Sequence, residues 1–252
     1  MNIELVRLTE EYKQQLFDMM EEWLAAEQDF SPAAIRRHDY RDFESYLATL
    51  ETKEAHDGFV PDSVFFCLDR DKNIFVGAVN IRHYLNGNLY PFGGHIGDGV
   101  RPSERRKGIA TKMIALALDK CAELGISRVL MTCDADNTGS AKSIRNNGGV
   151  LFMEEADEDG TVEQCYWISV SPARTGIPGH IKEIAGGNAV GARYENDDIV
   201  LTVKSAEELM KMNDILALNG ILFRGTEGGN PVYDYVGADG ETALYRVLVR
   251  QI

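Results

Sequence analysis

The chain has 252 residues, 44% of them apolar and 26% charged, and a formal net charge of -14. That composition fits a globular protein long enough for one large domain or two smaller ones. It argues against a nucleic-acid binder, which needs a basic face, and no apolar run approaches the ~18 residues of a membrane span.

The amino-terminal stretch MNIELVRLTEEYKQQ has no basic segment followed by an apolar one, so no signal peptide is expected. Cys67, Cys121, Cys133 and Cys165 are scattered without paired short spacing. They are expected to be reduced core thiols of a cytoplasmic protein, not a metal site or a disulfide frame.

IELVRL (3–8) alternates and predicts a strand, followed by a helix capped by Thr9 with Glu10 and Glu11 in its first turn. Tyr12, Leu16, Met19, Met20 and Trp23 recur at helical spacing, and a second helix is predicted around Tyr40, Phe43, Tyr46, Leu47 and Leu50. SVFFCL and IFVGAVNIRHY, around DRDKN, predict a hairpin. After the turn-rich LNGNLYP, GGHIGDGV reads as a strand whose glycines imply a bulge or the close approach of a backbone or ligand. Ile109, Met113, Leu116, Ala117, Cys121 and Leu124 form the stripe of a third helix ending at Gly125. RVLMTC is a short buried strand, and NTGSAKSIRNNGG a capped helix closed by glycine. VLFMEE and VEQCYWISV make a last hairpin about ADEDG.

SPARTGIPG, with two prolines and two glycines, is the expected boundary. The predicted division is a domain over residues 1–170, a linker over 171–179 and a small α+β domain over 180–252. In the last, strands at Val190–Tyr194 and Ile199–Val203 precede a helix over AEELMKMNDILAL with a Ser205/Glu208 capping box, and ILFR, PVYDYV and ALYRVLV follow as strands. The fold class is α/β with a mixed sheet, plus this second, smaller unit.

Within this acidic chain, VRPSERRKGIATKM crowds Arg101, Arg105, Arg106, Lys107 and Lys112 around Gly108 at the start of a helix. The helix dipole already makes that end positive, so cations there are locally unfavourable unless an anion joins them. Free amides at a glycine-containing helix start bind phosphate, and arginines add charge-assisted bonds. The short motif alone leaves ordinary surface cations as an equal reading.

Arg105-x-x-Gly108-x-Ala110, preceded by GGHIGDGVRP and followed by RVLMTC, Asn137, Ser140 and Gly148-Gly149, resembles the acetyl-CoA signature of GNAT-type N-acetyltransferases. The resemblance spans roughly residues 1–170, and the element order matches that fold. It implies acetyl-CoA as cosubstrate, with no metal. The pantetheine arm would pair near Gly99 and Val100. The amides of Arg106, Lys107, Gly108, Ile109, Ala110 and Thr111 would take the pyrophosphate. Arg105, Arg106 and Lys107 would add charge, and Asn137 and Ser140 would contact the distal cofactor.

The implied reaction is direct attack of an amine on the thioester, helped by positioning and a general base. His95 and Asp98 are the base candidates; their odd spacing points them to opposite faces of a regular strand. His83 and Tyr84 are further candidates. Family members commonly carry a tyrosine acid seven residues after the motif asparagine, where this chain has Ile144. Ser140, water, Tyr84 or Tyr90 would then serve the leaving thiolate. The acceptor is a small-molecule or peptide amine; a CoA-binding sensor or scaffold whose C-terminal domain carries the biological role is the alternative. Neither a nucleic acid nor a membrane is expected as partner, and a homodimer is compatible with the sequence.

Overall fold

A computed structural model describes residues 2–156 and 160–252. Its first sheet joins four antiparallel strands in the order β1-β2-β3-β4: β1 Ile3–Val6, β2 Asp62–Asp69, β3 Ile74–Arg82 and β4 Ile96–Val100. The central β2 is buried along its whole length because helices cover both faces, which is why its sequence is a continuous apolar run rather than an alternation.

Helices α1 (Lys13–Ala25) and α2 (Phe43–Thr49) cover one face. Leu16, Met19, Met20 and Trp23 form the buried stripe of α1 and meet Phe43, Tyr46, Phe66 and Phe75 in one core. Thr9 makes no side-chain cap: residues Glu10–Tyr12 form a 3-10 turn first, so α1 starts later than expected. Helix α3 (Ile109–Leu124) covers the other face, where Ile109, Met113, Ala117 and Cys121 pack on Val79, Ile81 and Ile96.

The second sheet has the order β5-β7-β6, with β5 Arg128–Asp134, β6 Val150–Ala156 and β7 Val162–Ser169. Helix α4 (Thr138–Asn146) follows β5. The turn expected at ADEDG falls largely on residues 157–159, outside the described residues. Among the described residues β4 and β5 share no ladder; they are joined where His95 N–H donates to the Leu130 carbonyl (2.7 Å) and the Leu130 N–H donates to His95 Nδ1 (3.0 Å). Beyond that clasp the two edges splay apart.

The expected linker is not free of regular structure. Helix α5, Ile177–Ile184, begins inside it. Gly176 and Gly179 suggest a breaker, but Pro178 sits in the first turn, where its missing N–H costs nothing, and Ile177, Ile181 and Ile184 make a buried stripe.

A five-stranded sheet follows in the order β10-β11-β12-β9-β8, built from β8 Ala189–Glu195, β9 Asp198–Val203, β10 Ile221–Glu227, β11 Asn230–Val236 and β12 Ala243–Gln251. The expected single helix over 206–218 is two: α6 Ala206–Met210 and α7 Asn213–Leu218. Lys211 folds back on Glu208 (2.6 Å) at the end of α6, and Tyr233 holds the Asn213 side chain (2.9 Å) at the start of α7. Only half of the capping box forms: the Glu208 N–H donates to Ser205 Oγ (3.2 Å), but the Ser205 N–H is taken by Asn188 Oδ1 (3.0 Å).

This third core includes two residues of the first 170, Val60 and Tyr84. Asn219 donates to the Leu85 carbonyl (2.9 Å) and accepts from the Leu85 N–H (2.8 Å). His83 Nδ1 meets the Glu183 carboxylate at 3.0 Å, and Tyr235 Oη donates to the Gly125 carbonyl. All four cysteines are buried thiols. No helix among the described residues is long and apolar enough to cross a membrane.

Candidate functional site

A cleft of about 620 Å³ opens beside the end of β4. The end of β4 (Asp98, Gly99, Val100), the turn before α3, and the start of α4 line it. Most of the residues predicted from the sequence meet there: Arg105, Arg106, Gly108, Ile109, Ala110, Asn137 and Ser140.

The floor is a helix start with its donors unspent. Gly108 is the N-cap of α3 at φ 78° and supplies no side-chain cap, so the amides of Ile109, Ala110 and Thr111 have no acceptor among the described residues. An added Cβ on Gly108 would meet nothing within 4 Å, so this glycine is required by its left-handed backbone rather than by crowding. Arg106 is also left-handed, at φ 62°.

The cations do not all point into the cleft. Arg105 is pinned beside β4, donating to the Val100 carbonyl (3.0 Å) and to Gln28 (2.7 Å). Arg106 is exposed and lines the cleft. Lys107 turns away to the Ser103 carbonyl (2.9 Å) and to the Glu104 carboxylate (3.0 Å), and does not line it. Glu104 is buried, and its bonds to Lys72 hold its carboxyl below the usual range despite burial. Arg101 and Ser103 are tied to Glu22 on α1, fixing the turn to the helix behind it. Thr111 lies just outside the cleft, its hydroxyl on Ser143 (3.3 Å).

Of the causes expected for the glycines of β4, the close approach of another backbone is the one found. An added Cβ on Gly99 would lie 2.2 Å from the Ser31 carbonyl oxygen, and one on Gly97 would lie 3.2 Å from Pro32. The close approach is made by the Ser31–Pro32 turn. Ser31 Oγ donates to the Asp98 carbonyl (2.9 Å) and its residue walls the cleft. Sequence reasoning missed Ser31, which lies 67 residues from its partner. It also missed Asn147, whose side-chain amide donates to the carbonyls of Thr111 and Ser143 (2.9 Å each) and locks α3 to α4.

Asn137 is the N-cap of α4, its Oδ1 accepting from the Ser140 N–H (3.1 Å), and both residues line the cleft. The Ser140 hydroxyl meets the Cys133 thiol. His95 is 1% exposed, and its Nδ1 lone pair is occupied by the Leu130 N–H. Burial, with His180, Arg128 and Arg82 adding, keeps it neutral well below the usual histidine range. It braces the clasp between the sheets and does not line the cleft. Ile144 is fully buried in the core beneath α4 and does not line the cleft.

Asp98 does line it, and burial raises its carboxyl to about 6. A buried acid with a raised folded-state pKa stabilises the fold at low pH and loses that contribution as pH rises from about 4 through 6. Asp98→Asn is therefore expected to raise the melting temperature above pH 6 by the equivalent of about 2 kcal/mol, the gain vanishing near pH 4. A gain that is constant with pH would show that the carboxyl is not held protonated.

Among the described residues no group of His, Cys, Asp and Glu could hold a metal ion. The profile of the acetyltransferase (GNAT) domain family matches residues 2–150. Among solved structures, RimL, a ribosomal-protein alpha-N-acetyltransferase in complex with coenzyme A, aligns with a TM-score of 0.51 at 15% identity, over 68% of this chain and 96% of that one. A putative GNAT-family acetyltransferase from Bordetella pertussis aligns at 0.46 and 18% identity, over 66% and 94%. A spermidine N-acetyltransferase chimera from Vibrio cholerae SpeG aligns at 0.46 and 15%, over 67% and 96%. No protein of curated function matches the chain.

Proposed function

Because the chain belongs to the GNAT acetyltransferase family, we propose that it is an acetyl-CoA-dependent N-acetyltransferase that acetylates an amine by direct attack on the thioester. The observation that carries this reading is the uncapped start of α3, with three free amides and Arg106, at the cleft beside the end of β4. Those donors fit a pyrophosphate, and the cleft is long enough to run from them to Asp98.

Acetyl-CoA, when bound, supplies an activated acyl group as a thioester. Ile109, Ala110 and Thr111 hold the phosphates through their amides, and Arg106 adds charge. The outer edge of β4 at Gly99 and Val100 offers backbone groups to the pantetheine arm. Asp98 is the base: above pH 6 its carboxylate takes a proton from the substrate ammonium, leaving a neutral amine to attack. Ser140 presents a hydroxyl to the departing sulfur. A thiol with a pKa of about 8.5 leaves readily without a strong acid, so the place of a family tyrosine at Ile144 is no obstacle. The unit over residues 180–252 is a shaping element for this core, supported by the burial of Val60 and Tyr84 against it.

Two measurements test the reading. Millimolar acetyl-CoA should raise the melting temperature, and free CoA thiol should appear with a panel of amines. Arg106→Ala should weaken acetyl-CoA by about tenfold, and by less at high salt, because an exposed cation is screened. A melting curve indifferent to acetyl-CoA overturns the reading.

A further inference from the structure

A second cleft, of about 450 Å³, lies on the far side of the Ser31–Pro32 turn. Ser31 walls the first cleft, and Ala33 and Ala34 wall the second. Behind the turn Pro32 packs on Gly97 of β4, whose Cβ position is 3.2 Å from Pro32 and 3.8 Å from Arg82 Nη2. The Ser31–Pro32 turn is thus the wall that the two spaces share.

Three guanidinium groups and two carboxylates line the second cleft; Arg36 and Asp57 are exposed, and Arg37, Arg82 and Asp62 make its floor. Asp62 is 3% exposed: one oxygen accepts from the Thr52 N–H (2.9 Å), and the other has Arg37 Nη2 as its ion-pair contact at 2.6 Å but accepts no hydrogen bond. Arg82 Nη1 donates to the carbonyls of Gly93 (2.8 Å) and Gly94 (3.1 Å). No carboxylate among the described residues comes within ion-pair distance of Arg82. The trio carries one net positive charge in a place where a lone cation is costly. Burial, and then the neighbouring Arg37, pull the Arg82 pKa down, and Asp62, which pairs with Arg37, offsets only part of that. The upper wall is apolar: Phe59, 49% exposed, with Val60 and Leu89.

A planar guanidinium lacking its anion beside an apolar wall is a receptor for a carboxylate attached to an apolar group. The same positive floor repels a polyamine. We propose that this cleft binds a free amino acid with an apolar side chain: its carboxylate on Arg82, its side chain against Phe59, and its amine one carbon away, toward the Ser31–Pro32 turn that the two clefts share. The inference rests on the acetyltransferase reading for the fate of that amine, and on the second cleft alone for the carboxylate.

The test uses the full chain loaded with CoA and two products that differ by one charge. N-acetylphenylalanine and N-acetylphenylalaninamide are titrated by calorimetry. The acid is expected to bind at least about tenfold more tightly, the difference one charge-assisted pair makes. Arg82→Gln should bring the acid down to the amide while leaving CoA affinity unchanged. Arg82 also braces Gly93 and Gly94, so the comparison of two ligands on the unaltered protein stands even where the variant fails to fold. Equal affinity, or no binding of either product, overturns the proposal. In parallel, CoA release is followed with phenylalanine, phenylalaninamide and spermidine. Turnover that favours the amide or spermidine overturns the carboxylate site and leaves the transferase standing. Tight binding of the acid with no turnover of any amine upholds the carboxylate site and removes the transferase reading.

Discussion

Truncation after Arg174 is expected to give no soluble, folded protein. The sequence divides the chain near SPARTGIPG, but the burial does not stop there. Val60 and Tyr84 belong to the core built by α5 and the five-stranded sheet, and Leu85 packs with Leu218. Each such side chain is worth about 1.5–3 kcal/mol when buried, so losing cover over three of them removes a large part of the roughly 5–15 kcal/mol that holds a domain together. The His83–Glu183 pair and the bond from Tyr235 to Gly125 go as well. Soluble yield, and a melting curve with and without acetyl-CoA, check this. A soluble fragment that melts cooperatively and is stabilised by acetyl-CoA would make the first 174 residues an independent unit.

Gly99→Val should nearly abolish acetyl-CoA binding. The added Cβ falls 2.2 Å from the Ser31 carbonyl oxygen and 2.6 Å from its Cβ, distances that backbone cannot accept. The turn must leave β4, the bond from Ser31 to the Asp98 carbonyl breaks, and the cleft loses that wall. Overpacking of this kind costs about 1–3 kcal/mol, or about 5 °C in melting temperature for a chain of this size, and affinity should drop by about a hundredfold. Gly108→Ala is the contrast: it meets no atom within 4 Å, keeps the turn, and carries only the left-handed penalty of about 1–2 kcal/mol. A Gly99→Val protein with unchanged melting and affinity would mean the turn does not press on β4 in solution.

The parts of the site that were legible in the sequence are those fixed by local chemistry. The α3 stripe follows from spacing, and the anion-ready helix start follows from cations placed around Gly108 where the dipole disfavours them. Asn137 reads as the start of a helix because its side chain caps three residues on. What was not legible depends on distant partners. Glu104, three residues from Lys107, holds it back, but that carboxylate is itself fixed by Lys72, 32 positions away. The glycines of β4 announce a close approach but not that Ser31 makes it. His95 looks like a base until Leu130 is seen to occupy its lone pair. Helix α5 is hidden because Gly176 and Gly179 carry the same letters as a linker, while its isoleucine stripe needs a sheet made from residues after 189 to give it meaning.

The bond between Leu85 and Asn219 has a consequence in time. The two residues are 134 positions apart, and Leu85 leads directly into the segment that carries Leu89 and the Pro91 and Phe92 carbonyls that receive Cys165 and Thr132. A ribosome adding roughly 5–20 residues each second needs on the order of ten seconds to cross that interval. By the end of it the nascent chain carries β4, the start of α3 and β5, yet the Leu85 backbone still lacks the Asn219 side chain that pairs with it. The roof over the face of β5 and β7 is therefore a late closure, finished only once Asn219 has been made.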